Sequence, residues 1–339
     1  MKIGLFITNQ QHLDVDMVSA LEDQYVMVRY ARDRGWHYLI SGQHYLNEGD
    51  NKQLQLLPFM ARLQAEAGEM TLGLGVMLLT LHNPVYVAEA VATLDVICRG
   101  NFVFGVGLGY REMEFDAFGV RKGTRVKRFE ECLNLVQELW TGKPVTHDSE
   151  LCTLNEVVMN IQPIQKPHPP IWFAANNEKA VRRAARMGDT WFINPHSTTD
   201  TVAELLEVFK AERQKAGKPM PQEIPQIKEI FCAKDRKTAI AQAGPYLAAK
   251  YATYAKWGQD KYMPGGESFE QDFESLLDDR FVLGSPEECY EQLRPYWEKL
   301  GVNTFIFRTE WSGMPLSVAL QNMRMISDEL MPELLKVKA

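Results

Sequence analysis

Eight short apolar runs, each followed by a stretch of helical periodicity, restrict this chain to few folds. They lie at 2–8 (KIGLFIT), 36–41 (WHYLIS), 71–79 (TLGLGVMLL), 102–107 (FVFGVG), 171–175 (IWFAA), 190–194 (TWFIN), 227–233 (IKEIFCA) and 302–308 (VNTFIFR). A near-continuous apolar run is the mark of a strand buried on both faces, as parallel strands joined by covering helices are. Between the runs, Val126, Phe129, Leu133, Val136 and Trp140 step by three and four as a core-facing helix does. Asn83-Pro84 joins a good N-cap to a proline at the first helical position. Eight such units predict a (β/α)8 TIM barrel, which needs about 250 residues and leaves room for insertions in a chain of 339. Residues 1–339 read as one domain. The insertions follow strand four, at 144–170, with a strand or hairpin expected near 154–162, and strand seven, at 259–285. The second is polar, carries Gly265-Gly266, and suits a lid or a plain surface excursion.

Charge narrows the partners. With 37 basic against 44 acidic residues, a net charge of −7 and no basic stripe, neither nucleic acid nor an anionic membrane is an expected partner. A small molecule suits the balance better. The start, MKIGLFIT, reads as a strand and not as a leader, and no run approaches the length of a membrane span. Five scattered cysteines, 98, 132, 152, 232 and 289, read as thiols of a reducing cytoplasm. No H-E-x-x-H, no histidine pair at i, i+4 and no G-x-S-x-G is present, so neither a zinc hydrolase nor a serine hydrolase is indicated.

In a barrel, chemistry sits just past the C-terminal ends of the strands. The stretch FVFGVGLGYREMEFDAFG at 102–119 is the barest of these ends, with glycines at 105, 107 and 109. The third comes one residue too early for a G-x-G-x-x-G dinucleotide fingerprint, and Glu112, Glu114 and Asp116 follow where a phosphate wants donors. Those three acids read as favourable charges at the start of a short helix. The remaining rim is rich in amides and holds one well-placed imidazole, His44. Such a rim implies an organic cofactor that brings its own reactivity.

The segments HNPVYVAEAVATLDVICRGNFVFGVGLGYREMEFDAFGV (82–120), TLGLGVMLL before it, and PPIWFAANNEKAVRRAARMGDTW (169–191), together with GSPEECYEQL and VNTFIF near the end, resemble the bacterial luciferase-like superfamily of flavin-dependent oxidoreductases. The resemblance implies a TIM barrel that binds FMN or the deazaflavin F420 at its mouth. It implies a monooxygenase that consumes reduced FMN and oxygen, the FMN coming from a separate flavin reductase. An F420-dependent oxidoreductase is the alternative, and a flavin-binding protein without turnover a third reading. Carried over by position, it implies a bulge with a non-proline cis peptide at Gly75-Val76 against the flavin. It implies a cofactor contact along Gly107, Leu108, Gly109 and Tyr110, and a phosphate loop at Asn176 and Asn177. His44 matches the family's first histidine after strand two and is the expected catalytic residue. Gln43 and Tyr45 replace the acid and second imidazole that commonly flank it. Tyr45, His196 and Arg308 are substrate candidates, with Arg308 otherwise paired to Glu310. Leu108 stands where bacterial luciferase places a phosphate-binding arginine, which leaves neighbouring Arg111 as a possible substitute. A homodimer is also implied by the family.

Overall fold

The computed structural model describes residues 1–47, 51–264, 268–269, 273–277 and 279–337. Its centre is a curled parallel sheet in which every strand-like run of the sequence takes part. We number these strands β1 (Lys2–Phe6), β2 (Tyr38–Ser41), β3 (Thr71–Leu74, continued by Met77–Leu78), β4 (Phe102–Gly107), β5 (Ile171–Ala174), β6 (Thr190–Phe192), β7 (Pro225–Cys232) and β8 (Thr304–Arg308). They pair in the order β6-β5-β4-β3-β2-β1-β8-β7. In the central register Leu5 lies opposite Leu39 on one side and Phe307 on the other. Just past β6, Ile193 bridges to Gln226 of β7, and its amide donates to the Pro225 carbonyl at 3.0 Å. The sheet is thus TIM-barrel-like.

The two-residue side-chain period of a strand sorts the apolar residues into two cores. Ile3, Leu5 and Ile7 join Leu39, Leu72, Leu74, Phe104 and Phe305 against the surrounding helices. Their alternates Phe6, Ile40, Val103, Trp172, Phe192, Ile227 and Ile306 form a separate buried cluster inside the curl, with Val76 packed on it. Both faces are therefore dry, which explains why the runs lack polar alternation. Helices cover the outside as their sequence dictates. Asn83 caps Pro84–Ile97 by accepting from the Val85 amide at 2.9 Å, and Phe129, Leu133 and Val136 bury the inner face of Arg125–Leu139.

Three features differ from the expected pattern. The hairpin after strand four lies earlier than expected, with strands Val145–Asp148 and Thr153–Val157. A short antiparallel pair, Gln10–His12 with Asn51–Gln53, flanks the mouth. The stretch 259–285 does not end as a loop, because Phe281–Gly284 is a buried strand that pairs with Glu229–Cys232. The capping box that follows, in which Ser285 accepts from the Glu288 amide, marks the return to helix. Gly265 and Gly266 lie outside the described residues.

β3 is interrupted at Gly75-Val76, a non-proline cis peptide whose Gly75 amide donates to the Ser41 carbonyl at 2.6 Å. Gly105 answers that interruption from the neighbouring strand. A Cβ there would stand 1.6 Å from the Leu74 carbonyl oxygen, so β4 approaches β3 only with glycine at this position. The first of the three glycines thus serves strand packing.

Candidate active site

One cavity opens at the C-terminal ends of the strands, and it gathers most of the residues singled out from sequence. Gly75, Val76, Gly107, Leu108, Gly109 and Tyr110 line it, as do Asn176, Asn177, His44, His196 and Arg308. Gly109 has φ +76°, a left-handed conformation that glycine adopts without strain, and so turns the chain at the rim. Tyr45 is not part of the lining. Its hydroxyl lies 2.7 Å from Gln43 Nε2 and 3.1 Å from His82 Nε2, and its ring packs on Phe118 behind the wall. Gln43, in the position of the family's acid, uses its other end to accept from the Leu78 amide at 3.1 Å and pins the end of β3.

The acid that Gln43 does not provide comes from elsewhere in the chain. Glu114, on the short helix Glu112–Ala117, is 1 % exposed. Its Oε1 lies 3.1 Å from His44 Nδ1 and accepts from the Tyr45 amide at 2.8 Å and from Arg111 Nη1 at 3.3 Å. Burial pushes the Glu114 carboxyl up, but the bonds from His44 and the Tyr45 amide and the Arg111 charge outweigh it and hold the group below its ordinary range. An ionised carboxylate only accepts, so it selects the Nδ1–H tautomer of a neutral His44 and leaves Nε2 as the basic nitrogen. Glu112 and Asp116 are exposed, as helix-start charges are, whereas Glu114 is not one of them. Sequence reading missed it because it lies seventy residues from His44. The signal available was its place one turn into a helix with apolar neighbours Met113 and Phe115.

At one pole of the cavity the groups suit an anion. Asn177 caps the helix Glu178–Met187 by accepting from the Ala180 amide at 3.1 Å. Asn176 does not cap, since its Oδ1 accepts from Asn194 Nδ2 at 3.1 Å and ties the ends of β5 and β6 together. Arg111 does not replace the arginine missing at Leu108. It is 4 % exposed, donates to the carbonyls of Tyr45 and Leu46 and to Glu114, and lies 4.3 Å from the Trp257 ring. Arg125 is the cation that lines the cavity with Leu108, Asn176 and Asn177, from the first position of its helix.

The lining contributed by Lys250, His196 and Arg308 carries further buried charge. Lys250 is ion-paired with the fully buried Glu229. His196 lies 2.9 Å from the Tyr251 hydroxyl, and burial, followed by the nearby cations Lys250 and Arg308, holds it well below the ordinary histidine range. Arg308 and Glu310 do not form the expected pair: Glu310 accepts from the Thr8 amide at 2.8 Å, while the Arg308 guanidinium lies over the Phe6 ring at 4.4 Å. Past the helix Arg236–Lys256, Gln259 and Tyr262 also line the cavity, and the Tyr110 hydroxyl donates to Gln259 Oε1 at 3.2 Å.

Comparisons with known proteins agree with this arrangement. Residues 1–304 match the family model of luciferase-like monooxygenases. The oxygenase component of flavin-dependent trigonelline monooxygenase from Acinetobacter baylyi is 22% identical over 349 residues, covering 98% of this chain and 95% of the relative. The oxygenating constituent of 3,6-diketocamphane monooxygenase from Pseudomonas putida, solved in complex with FMN, superposes with a TM-score of 0.81 at 18% identity over 98% of both chains. An F420-dependent secondary alcohol dehydrogenase, solved with an F420-acetone adduct, superposes at 0.78 with 17% identity, again over 98% of both chains. These structures share the fold and differ in cofactor. With its family match running from Met1 to Thr304, the chain belongs to the luciferase-like monooxygenases and is an enzyme of that kind.

Proposed function

We propose that this enzyme oxygenates a small organic substrate with reduced FMN and molecular oxygen, the reduced FMN arriving from a separate reductase. The eight paired strands support a (β/α)8 barrel in one domain, with the hairpin after β4 and the part of the stretch 259–285 that precedes the strand Phe281–Gly284 as its insertions. The observation that carries the reading is the His44–Glu114 pair on a cavity that also holds the interrupted β3. The cavity's donor set suits FMN. Its walls are apolar at Phe6, Val76, Phe192 and Ile227, its rim is bare main chain at Gly107 and Gly109, and Arg125 stands near a helix N-terminus at one pole. FMN, when bound, supplies the redox and oxygen chemistry. His44 Nε2 then serves as the proton-handling group of the site, and Glu114 keeps the imidazole oriented and its proton on Nδ1. The relative named as an oxygenase component supports a separate reductase.

The cofactor pole gives a direct test. A charge-assisted bond to a phosphate contributes about 1.5–3 kcal/mol, so Arg125→Ala weakens FMN binding by roughly tenfold or more and leaves riboflavin binding unchanged. Titration of apoprotein with each flavin, read by quenching of flavin fluorescence, checks this. Equal losses for FMN and riboflavin would remove Arg125 from the phosphate. Binding of F420 in preference to FMN would move the assignment to a deazaflavin oxidoreductase.

A further inference from the structure

We infer that Arg308 is the recognition point for substrate, and that the cavity takes a small carboxylate carried on a flat apolar frame. Arg308 is only 9 % exposed and lines the cavity, yet among the described residues it makes no hydrogen bond and no ion pair. The other buried cations of this region are engaged. Lys250 is held by Glu229, Arg280 donates to the His196 carbonyl at 2.8 Å, and Lys228 donates to the Tyr296 hydroxyl at 2.7 Å. Glu310, two residues on, is held by the Thr8 amide, and burial keeps its carboxyl up at about 7 in spite of Thr8 and Arg308. His196 is neutral for the reasons given above.

A guanidinium cannot shed its proton, so a buried arginine without a partner is costly unless a ligand supplies the counter-charge. Its planar fork matches a carboxylate through two parallel bonds. Here the fork lies against the Phe6 ring, and Phe192, Ile227 and Tyr254 are the neighbouring cavity walls. With Lys250 already held by Glu229, apolar faces around the one cation left without a partner among the described residues select a flat, mostly apolar monoanion over a neutral isostere. Arg125 begins the helix Arg125–Leu139 after β4 and Arg308 ends β8, with β3, β2 and β1 between those two strands in the sheet order, so the cavity offers one cation for cofactor and a second, separate one for substrate. The inference rests on the FMN reading only in placing cofactor and substrate in one cavity.

The test uses FMN-loaded protein with benzoate and benzamide as probes, followed by calorimetry and by perturbation of the flavin spectrum. Wild type is expected to bind benzoate about tenfold more tightly than benzamide. Arg308→Met is expected to lose that preference, with FMN affinity within about threefold of wild type, and Arg308→Lys to restore it in part, as a point charge replaces the fork. Melting of Arg308→Met at or above the wild-type temperature shows that the variant is folded. Equal binding of the two probes by wild type overturns the inference, as does unchanged benzoate affinity in Arg308→Met. A loss of FMN affinity with benzoate binding intact assigns Arg308 to the cofactor instead. If wild type does not bind FMN, the cofactor reading falls by itself, and the same benzoate and benzamide titrations of the apoprotein still decide the role of Arg308.

Discussion

Replacing Glu114 by alanine is expected to lower the unfolding free energy by about 3 kcal/mol and to slow flavin-dependent turnover by about a hundredfold. Two separate causes act. The stability loss comes from Arg111, 3 % exposed in its side chain, which keeps the Tyr45 and Leu46 carbonyls but loses the one carboxylate it touches among the described residues. The rate loss comes from His44, whose Nδ1 has Glu114 as its partner. Without the acceptor, the imidazole is free to rotate and to take the other tautomer. Glu114→Gln separates the causes, because its amide oxygen still accepts from His44 Nδ1 and from the Tyr45 amide while Arg111 loses its counter-charge, so stability falls with a smaller loss of rate. Denaturant titration reads the first effect. Oxidation of enzyme-bound reduced FMN, followed by the return of flavin absorbance, reads the second. If Glu114 acts through His44, the Glu114→Ala/His44→Ala double variant is no slower than His44→Ala alone. Additive rate losses would make Glu114 a structural carboxylate only. The wild-type contribution also has a sign in pH. Since folding lowers the Glu114 carboxyl, its stabilisation is present above the unfolded value of about 4.3 and fades as pH falls through the lower folded value.

The strands were legible because burial on both faces leaves a continuous apolar signature, and each of the eight runs became a sheet strand. The cis peptide at Gly75-Val76 and the glycine-lined end of β4 followed from resemblance, and both meet at one cavity. What stayed hidden was pairing at long range. A glutamate that serves a histidine seventy positions away looks the same in sequence as Glu112, which faces solvent and pairs with Lys122. Proximity in sequence misled in the same way at two arginines. Arg111 adjoins the rim but points into the Glu114 network, whereas Arg125 reaches the cavity from the next helix. Arg308 and Glu310 are two apart, but the acid turns to the Thr8 amide. The strand Phe281–Gly284 was lost in a polar surrounding, where three apolar residues and a glycine are too short a run to stand out.

Glu310→Gln is expected to stabilise the protein at alkaline pH, by on the order of 3 kcal/mol above pH 7, and to make little difference near pH 4. The Glu310 carboxyl is 7 % exposed, and burial raises it to about 7, against the opposing pull of the Thr8 amide and the Arg308 charge. In the unfolded chain the same group ionises near about 4.3. Between the two values the folded state keeps a proton that the unfolded state has released, so stability falls as pH rises across that window and levels off above it. Glutamine keeps an oxygen for the Thr8 amide and never ionises, so its stability curve lacks this fall. Unfolding titrations of both proteins from pH 4 to pH 9 check the divergence, and parallel curves would show that Glu310 ionises normally. The same window bears on ligand binding. As Glu310 ionises it presents Arg308 with a competing negative charge, so benzoate affinity in wild type falls as pH rises through about 7. In Glu310→Gln that fall is absent, because the glutamine gains no charge near Arg308 as pH rises through about 7.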